Sequence, residues 1–100
     1  MPENEFAPVT PGEMLKEEFL AEYRLSQNRL AKAIGISPRR ITELVHNRQP
    51  ITADIALRLG LYFGTSPEFW MNLQAHYDLK MARRRLSPKD VARIRARRAA

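Results

Sequence analysis

Between residues 27 and 46 the chain reads QNRLAKAIGISPRRITELVH, and no other stretch restricts its fold so tightly. Leu30, Ile34, Ile36, Ile41, Leu44 and Val45 fall where two packed helices would bury them, with Ala31 as a small contact between the two. Gly35 follows the first apolar-periodic run. Lacking a Cβ, it can take the left-handed conformation that ends a helix without steric penalty. Ser37 then caps a second helix, and Pro38 sits in its first turn, where a missing N–H is harmless. Helix, bend and helix at this spacing make a helix-turn-helix. A helical hairpin with no nucleic-acid role can carry the same punctuation, so function turns on what the outward face presents.

The rest of the chain reads as helices with short breaks and no strand. Thr10-Pro11-Gly12-Glu13 is a capping box opening a helix of about 12–23, with Leu15, Phe19 and Tyr23 as its inward stripe. Ser26 caps the second helix, and the third runs from about Pro38 to His46 before the loop Asn47-Arg48-Gln49-Pro50. Thr52 caps a fourth, on which Ile55, Leu59 and Tyr62 share a face widened by Ala56 and Phe63, and Gly64 closes it. Ser66-Pro67 opens a fifth, with Phe69, Trp70, Leu73 and Tyr77 on its apolar side, continuing toward Arg84. Ser87-Pro88-Lys89-Asp90 opens a last helix with only Val91 and Ile94 to bury. So narrow a stripe predicts a segment that frays, or orders on binding.

One hundred residues suit one domain with one core. The chain contains no cysteine, which excludes disulfides and thiolate metal sites and points to the reducing cytoplasm. No run approaches the roughly 18 apolar residues of a membrane span. The start, MPENEFAPVT, has neither a positive end nor an apolar stretch, so no secretory leader is expected. His46 and His76 share no metal-ligand spacing, Glu17 and Glu18 are adjacent and would point apart on a helix, and no Gly-rich phosphate loop occurs. The expectation is therefore a protein without catalysis, cofactor or metal.

The formal net charge of +6 is unevenly spread. Residues 1–25 carry −4, residues 26–49 carry +4, residues 50–79 carry −2 and residues 80–100 carry +8. Positive charge on the helix-turn-helix is the electrostatic footprint of a DNA-binding unit. The second helix of such a unit enters the major groove, its N-terminal residues nearest the bases. With Ile41, Leu44 and Val45 inward, the outward positions are Ser37, Arg39, Arg40, Thr42, Glu43 and His46. Arg39 is the first candidate for base contact, because its planar fork matches the two acceptors of guanine. Thr42 can meet a thymine methyl or a phosphate, and Glu43 can accept from cytosine or simply pair with Arg39 or Arg40. Gln27, Asn28, Arg40 and Arg48 are placed for the sugar-phosphate backbone, where contacts set register rather than sequence. The tail arginines belong either to a solvated end or to DNA, and His46 either to the reading face or to plain surface.

Three segments, TPGEMLKEEFL, SQNRLAKAIGIS and NRQPITADIALRLGLYFGTSPEFWMNLQ, make the chain resemble the HigA-type antitoxins, also called the VapI group, of the Xre/Cro-like helix-turn-helix family. The likeness covers roughly residues 8–80, and Thr10 stands where many relatives have His; both can cap. The resemblance implies an all-α, lambda-repressor-like fold of five to six helices. It implies a homodimer on a palindromic double-stranded operator, repression of its own operon, and neutralisation of a HigB-like ribonuclease toxin by direct binding. By position, the reading helix is Ser37 to Asn47, and the dimer surface involves Phe69, Trp70, Leu73 and Tyr77. Residues 1–86 then form the DNA-binding and dimerisation domain, and 87–100 a basic helical tail to which nothing carries over. A toxin that cuts RNA must itself be basic, so the acidic first helix, with Glu17, Glu18 and Glu22, is a candidate toxin surface; a solubilising face is the plainer reading. A stand-alone Xre-family regulator without a toxin is the alternative function, and a purely protein-binding helical adaptor a third.

Overall fold

Six Ser or Thr side chains set where the helices begin. Thr10, Ser26, Ser37, Thr52, Ser66 and Ser87 each accept a hydrogen bond from the N–H three residues on, each worth about 1 kcal/mol of helix stability. In a computed structural model, which describes residues 10–99, the helices that follow are α1 (an α-turn at Pro11–Glu13 running into a π-helical stretch, Met14–Leu20), α2 (Gln27–Ile34), α3 (Pro38–Val45), α4 (Ala53–Phe63), α5 (Pro67–Arg85) and α6 (Pro88–Ala96). No strand occurs among the described residues, and the fold is all-α. The start of the chain up to Val9, read above as no secretory leader, lies outside the described residues.

Helix α2 packs on α3, and α4 on α5, while α1 closes over α3 and α5. The core between them holds Leu15, Leu30, Ile41, Leu44, Ile55, Leu59 and Trp70. Truncating any of the core leucines to Ala would cost roughly 2–5 kcal/mol. Phe19 joins this core from α1, its ring 4.8 Å from Phe63 and 5.0 Å from Trp70. Trp70 is 0% exposed, and its buried indole N–H is satisfied by Thr65 Oγ1 at 2.8 Å.

The stripe expected on α1 differs from the one formed. Its hydrogen bonds reach five residues back, Ala21 N–H to Lys16 C=O at 3.1 Å and Leu25 N–H to Leu20 C=O at 2.8 Å. The wider turn brings Leu20 inward beside Leu15, leaves Phe19 half-buried and turns Tyr23 out to 55% exposure. On α4, Phe63 takes the buried place expected for Tyr62, which is exposed. The last helix is formed as its cap predicts, and none of its residues is buried. Its Ser87 cap, Pro88 and Asp90 supply local reasons for the helix.

One contact across the fold was not anticipated. The first turn of α1 presses on the end of α3 so closely that a Cβ on Gly12 would collide with the backbone of Val45 and lie 2.7 Å from the Leu44 carbonyl oxygen. Only glycine fits there. Asn47, at φ 57°, locks this approach by accepting from Gly12 N–H at 2.9 Å and donating to Thr10 Oγ1 at 2.8 Å.

Candidate nucleic-acid interface

The bend that sets the angle between α2 and α3 is built as the sequence predicts. Gly35 lies in the left-handed region at φ 74° and ψ 36°, and its N–H closes the helix onto Ala31 C=O. Arg58 of α4 reinforces this end. Its guanidinium donates to Ile34 C=O at 2.7 Å and to Asp54 at 2.9 Å, placing a cation against the negative end of α2. On the far side, Ile41, Leu44 and Val45 anchor α3 in the core, so its remaining residues form the outward face.

That face carries the expected side chains in unequal states. Arg39 is 88% exposed, with its Nε 3.7 Å from a Glu43 carboxylate that is only 28% exposed. An exposed pair of this length contributes about 0–1 kcal/mol, less than a bidentate contact to guanine supplies, about 1–3 kcal/mol. Arg39 is therefore free to exchange one partner for the other. Glu43 is half-buried, and only its Oε2 faces Arg39, so its second carboxylate oxygen is free to accept.

Thr42 hydroxyl donates to Gln27 Oε1 at 2.9 Å, with Pro38 C=O at 3.2 Å as a second acceptor. This ties the first residue of α2 to the middle of α3 and leaves the Gln27 amide N–H groups pointing away from the bond. Arg40 is half-buried, and its Nε is the only buried side-chain nitrogen or oxygen among the described residues without a partner. A buried N–H left unpaired costs roughly 1–3 kcal/mol. His46 Nδ1 lies 2.8 Å from Thr42 C=O; since a carbonyl only accepts, that nitrogen carries the proton. Ser37 Oγ is engaged as the cap of α3, 3.2 Å from Arg40 N, so its hydroxyl can still donate outward. Asn28 and Arg48 are exposed at the two ends of the unit. Asn47, expected at the end of the reading helix, instead belongs to the clamp on α1.

The other expected surfaces are only partly as read. Trp70 is a core residue and cannot meet a partner, which corrects its place in the dimer surface; Phe69, Leu73 and Tyr77 remain partly exposed beside it. Leu57, Leu61 and Tyr62 of α4 are exposed as well, and line a groove with Ala33 and Ile34. Sequence reading missed them because α4 is apolar on both faces, so periodicity alone did not mark which side stays outside. Glu17, Glu18 and Glu22 are exposed, and none forms an ion pair among the described residues. Among those residues no group of His, Cys, Asp or Glu is arranged to hold a metal ion, and no helix is long and apolar enough to cross a membrane.

The helix-turn-helix family model matches residues 15–70. Virulence-associated protein I of Dichelobacter nodosus is 52% identical over 79 residues, covering 79% of this chain and 73% of that protein. Antitoxin HigA-1 of Vibrio cholerae is 40% identical over 78 residues, covering 78% and 73% respectively. The chain belongs to the helix-turn-helix family, in its HigA antitoxin group. A solved structure described as Pseudomonas aeruginosa antitoxin HigA with higBA promoter superposes with a TM-score of 0.72 at 47% identity, covering 75% of this chain and 82% of that one. The Gly35 bend and the outward face of α3 both fall inside the matched span of this HigA-group chain.

Proposed function

We propose that this protein is a DNA-binding antitoxin that represses its own operon and neutralises a HigB-like ribonuclease toxin. The observation that carries the DNA reading is Arg39, which stands almost fully exposed near the start of α3, held only by a long pair to Glu43. Arg39 reads a guanine, with Thr42 and Glu43 beside it, while Gln27, Asn28, Ser37, Arg40, His46 and Arg48 meet the backbone or the groove edge. Support for an operator as the target comes from the Pseudomonas aeruginosa relative, whose structure includes the higBA promoter. Two copies bind as a homodimer through Phe69, Leu73 and Tyr77 of α5, matching a palindromic site. Residues 1–86 form this unit and residues 87–100 are appended to it. The exposed acids Glu17, Glu18 and Glu22 receive the basic toxin, and the protein works by binding in the cytoplasm, not by catalysis. Footprinting on the region upstream of its own gene tests the DNA reading. Two protected half-sites about 34 Å apart, or a multiple of that, are expected; uniform weak protection along the fragment contradicts it.

A further inference from the structure

Past Asp78, the polypeptide stops contributing to the core. The buried residues of α5 are Trp70 and Gln74, both in its first half, and from Leu79 to Ala99 no residue is buried. Residues 80–98 nevertheless carry nine Lys or Arg against the single acid Asp90, mostly on the end of α5 and on α6, with a break at Leu86-Ser87 between the two helices. Of these nine, only Arg93 has an ion-pair partner among the described residues, Asp90 at 3.4 Å. Like charges four apart on a helix, such as Lys89 and Arg93, destabilise it, and no burial compensates. The counter-charge must come from outside the chain.

The position of this arm indicates which polyanion supplies it. Tyr77 and Asp78 of α5 line one cavity together with Asn47, Arg48 and Gln49, the loop that leaves α3. Lys80 and Arg84 follow within about 9 Å along the helix axis. The basic arm thus begins at the edge of the candidate DNA interface and carries its positive charge onward. Two such arms, each at +8 over residues 80–100, would repel one another, which argues against a partner arm as the occupant. A membrane surface is disfavoured because Val91 and Ile94 are the only large apolar side chains on α6.

We propose that the end of α5 and α6 form a second, sequence-blind contact that grips duplex DNA phosphates outside the segment read by α3. It rests on the operator reading only for its location. The test uses the full chain with Arg83→Gln, Arg84→Gln, Arg95→Gln and Arg97→Gln together, and the same four positions changed to Lys. Binding to a labelled random-sequence 30-base-pair duplex is titrated between about 50 and 200 mM salt. The Gln variant should bind at least about tenfold more weakly, with a log-log salt slope shallower by up to about 3.6, at roughly 0.9 per phosphate contact. The Lys variant should keep both affinity and slope, since a phosphate responds to charge. Preference for the upstream region over random duplex should be unchanged in the two variants. An unchanged slope in the Gln variant overturns the proposal. So does a loss confined to single-stranded RNA or to anionic phosphatidylserine vesicles, or a change in oligomeric state with DNA binding intact. If the unaltered protein shows no preference for its upstream region, the operator reading fails, but the slope comparison still decides the arm.

Discussion

At φ 74° the backbone of Gly35 occupies a region that only glycine enters freely, and the angle between α2 and α3 depends on it. Gly35→Val should lower stability by roughly 1–3 kcal/mol from backbone strain. A Cβ there would also approach the Arg58 guanidinium at 3.1 Å. Chemical denaturation reads the change; a variant as stable as the parent would show that the bend tolerates other conformations. Asn47 combines two bonds to α1 with its own left-handed backbone. Asn47→Ala should therefore cost about 1–3 kcal/mol, and Gly12→Ala should be destabilising as well, because its Cβ meets backbone and not a side chain that can move. Asn47 and Gly12 were not legible as partners in the sequence. Their separation of 35 residues has no local signature, whereas the caps and the Gly35 bend act within a few residues of themselves and could be read directly.

Among the elements, α2, α3 and their turn were readable because a 3.6-residue period, a cap and a glycine all agree there. The first helix was harder. Its stripe Leu15, Phe19, Tyr23 follows an α period, but the π-helical hydrogen bonding shifts the inward face to Leu15 and Leu20, and nothing in composition announces a π turn. Trp70 was equally ambiguous, since an apolar side chain at helical spacing suits a core or an interface until the neighbouring helices are placed. The π-helical stretch does keep the acids outward. Reversing Glu17, Glu18 and Glu22 to Lys should slow association with the toxin by about tenfold or more at low salt, with a smaller effect on final affinity. Stopped-flow association across a salt series reads this directly; identical rates and salt dependence in the reversed variant place the toxin on another surface. Helix content and stability should hardly move, because surface substitutions away from packed groups usually change stability by less than about 0.5 kcal/mol.

For the whole molecule, one helix-turn-helix offers few base contacts, and a twofold pair doubles them on a palindrome. Dimerisation should then depend on the partly exposed residues of α5 and not on Trp70, which is spent on the core. Tyr77→Asp should weaken the dimer by about 2 kcal/mol or more if the ring lies at the centre of that surface, and sedimentation at micromolar concentration would show it as a shift to monomer. A dimer unaffected by this change moves the interface elsewhere, with the exposed Leu57, Leu61 and Tyr62 of α4 next in line. The central claim, that α3 reads sequence through Arg39, is tested most directly by competition binding. The protein and its Arg39→Ala variant are each titrated against the upstream region of the gene and against random duplex at fixed salt. The account predicts that the unaltered chain prefers its own region by about 1,000-fold or more, and that Arg39→Ala loses about 1–3 kcal/mol of that preference while its affinity for random duplex changes little. Discrimination that survives intact in Arg39→Ala would contradict it.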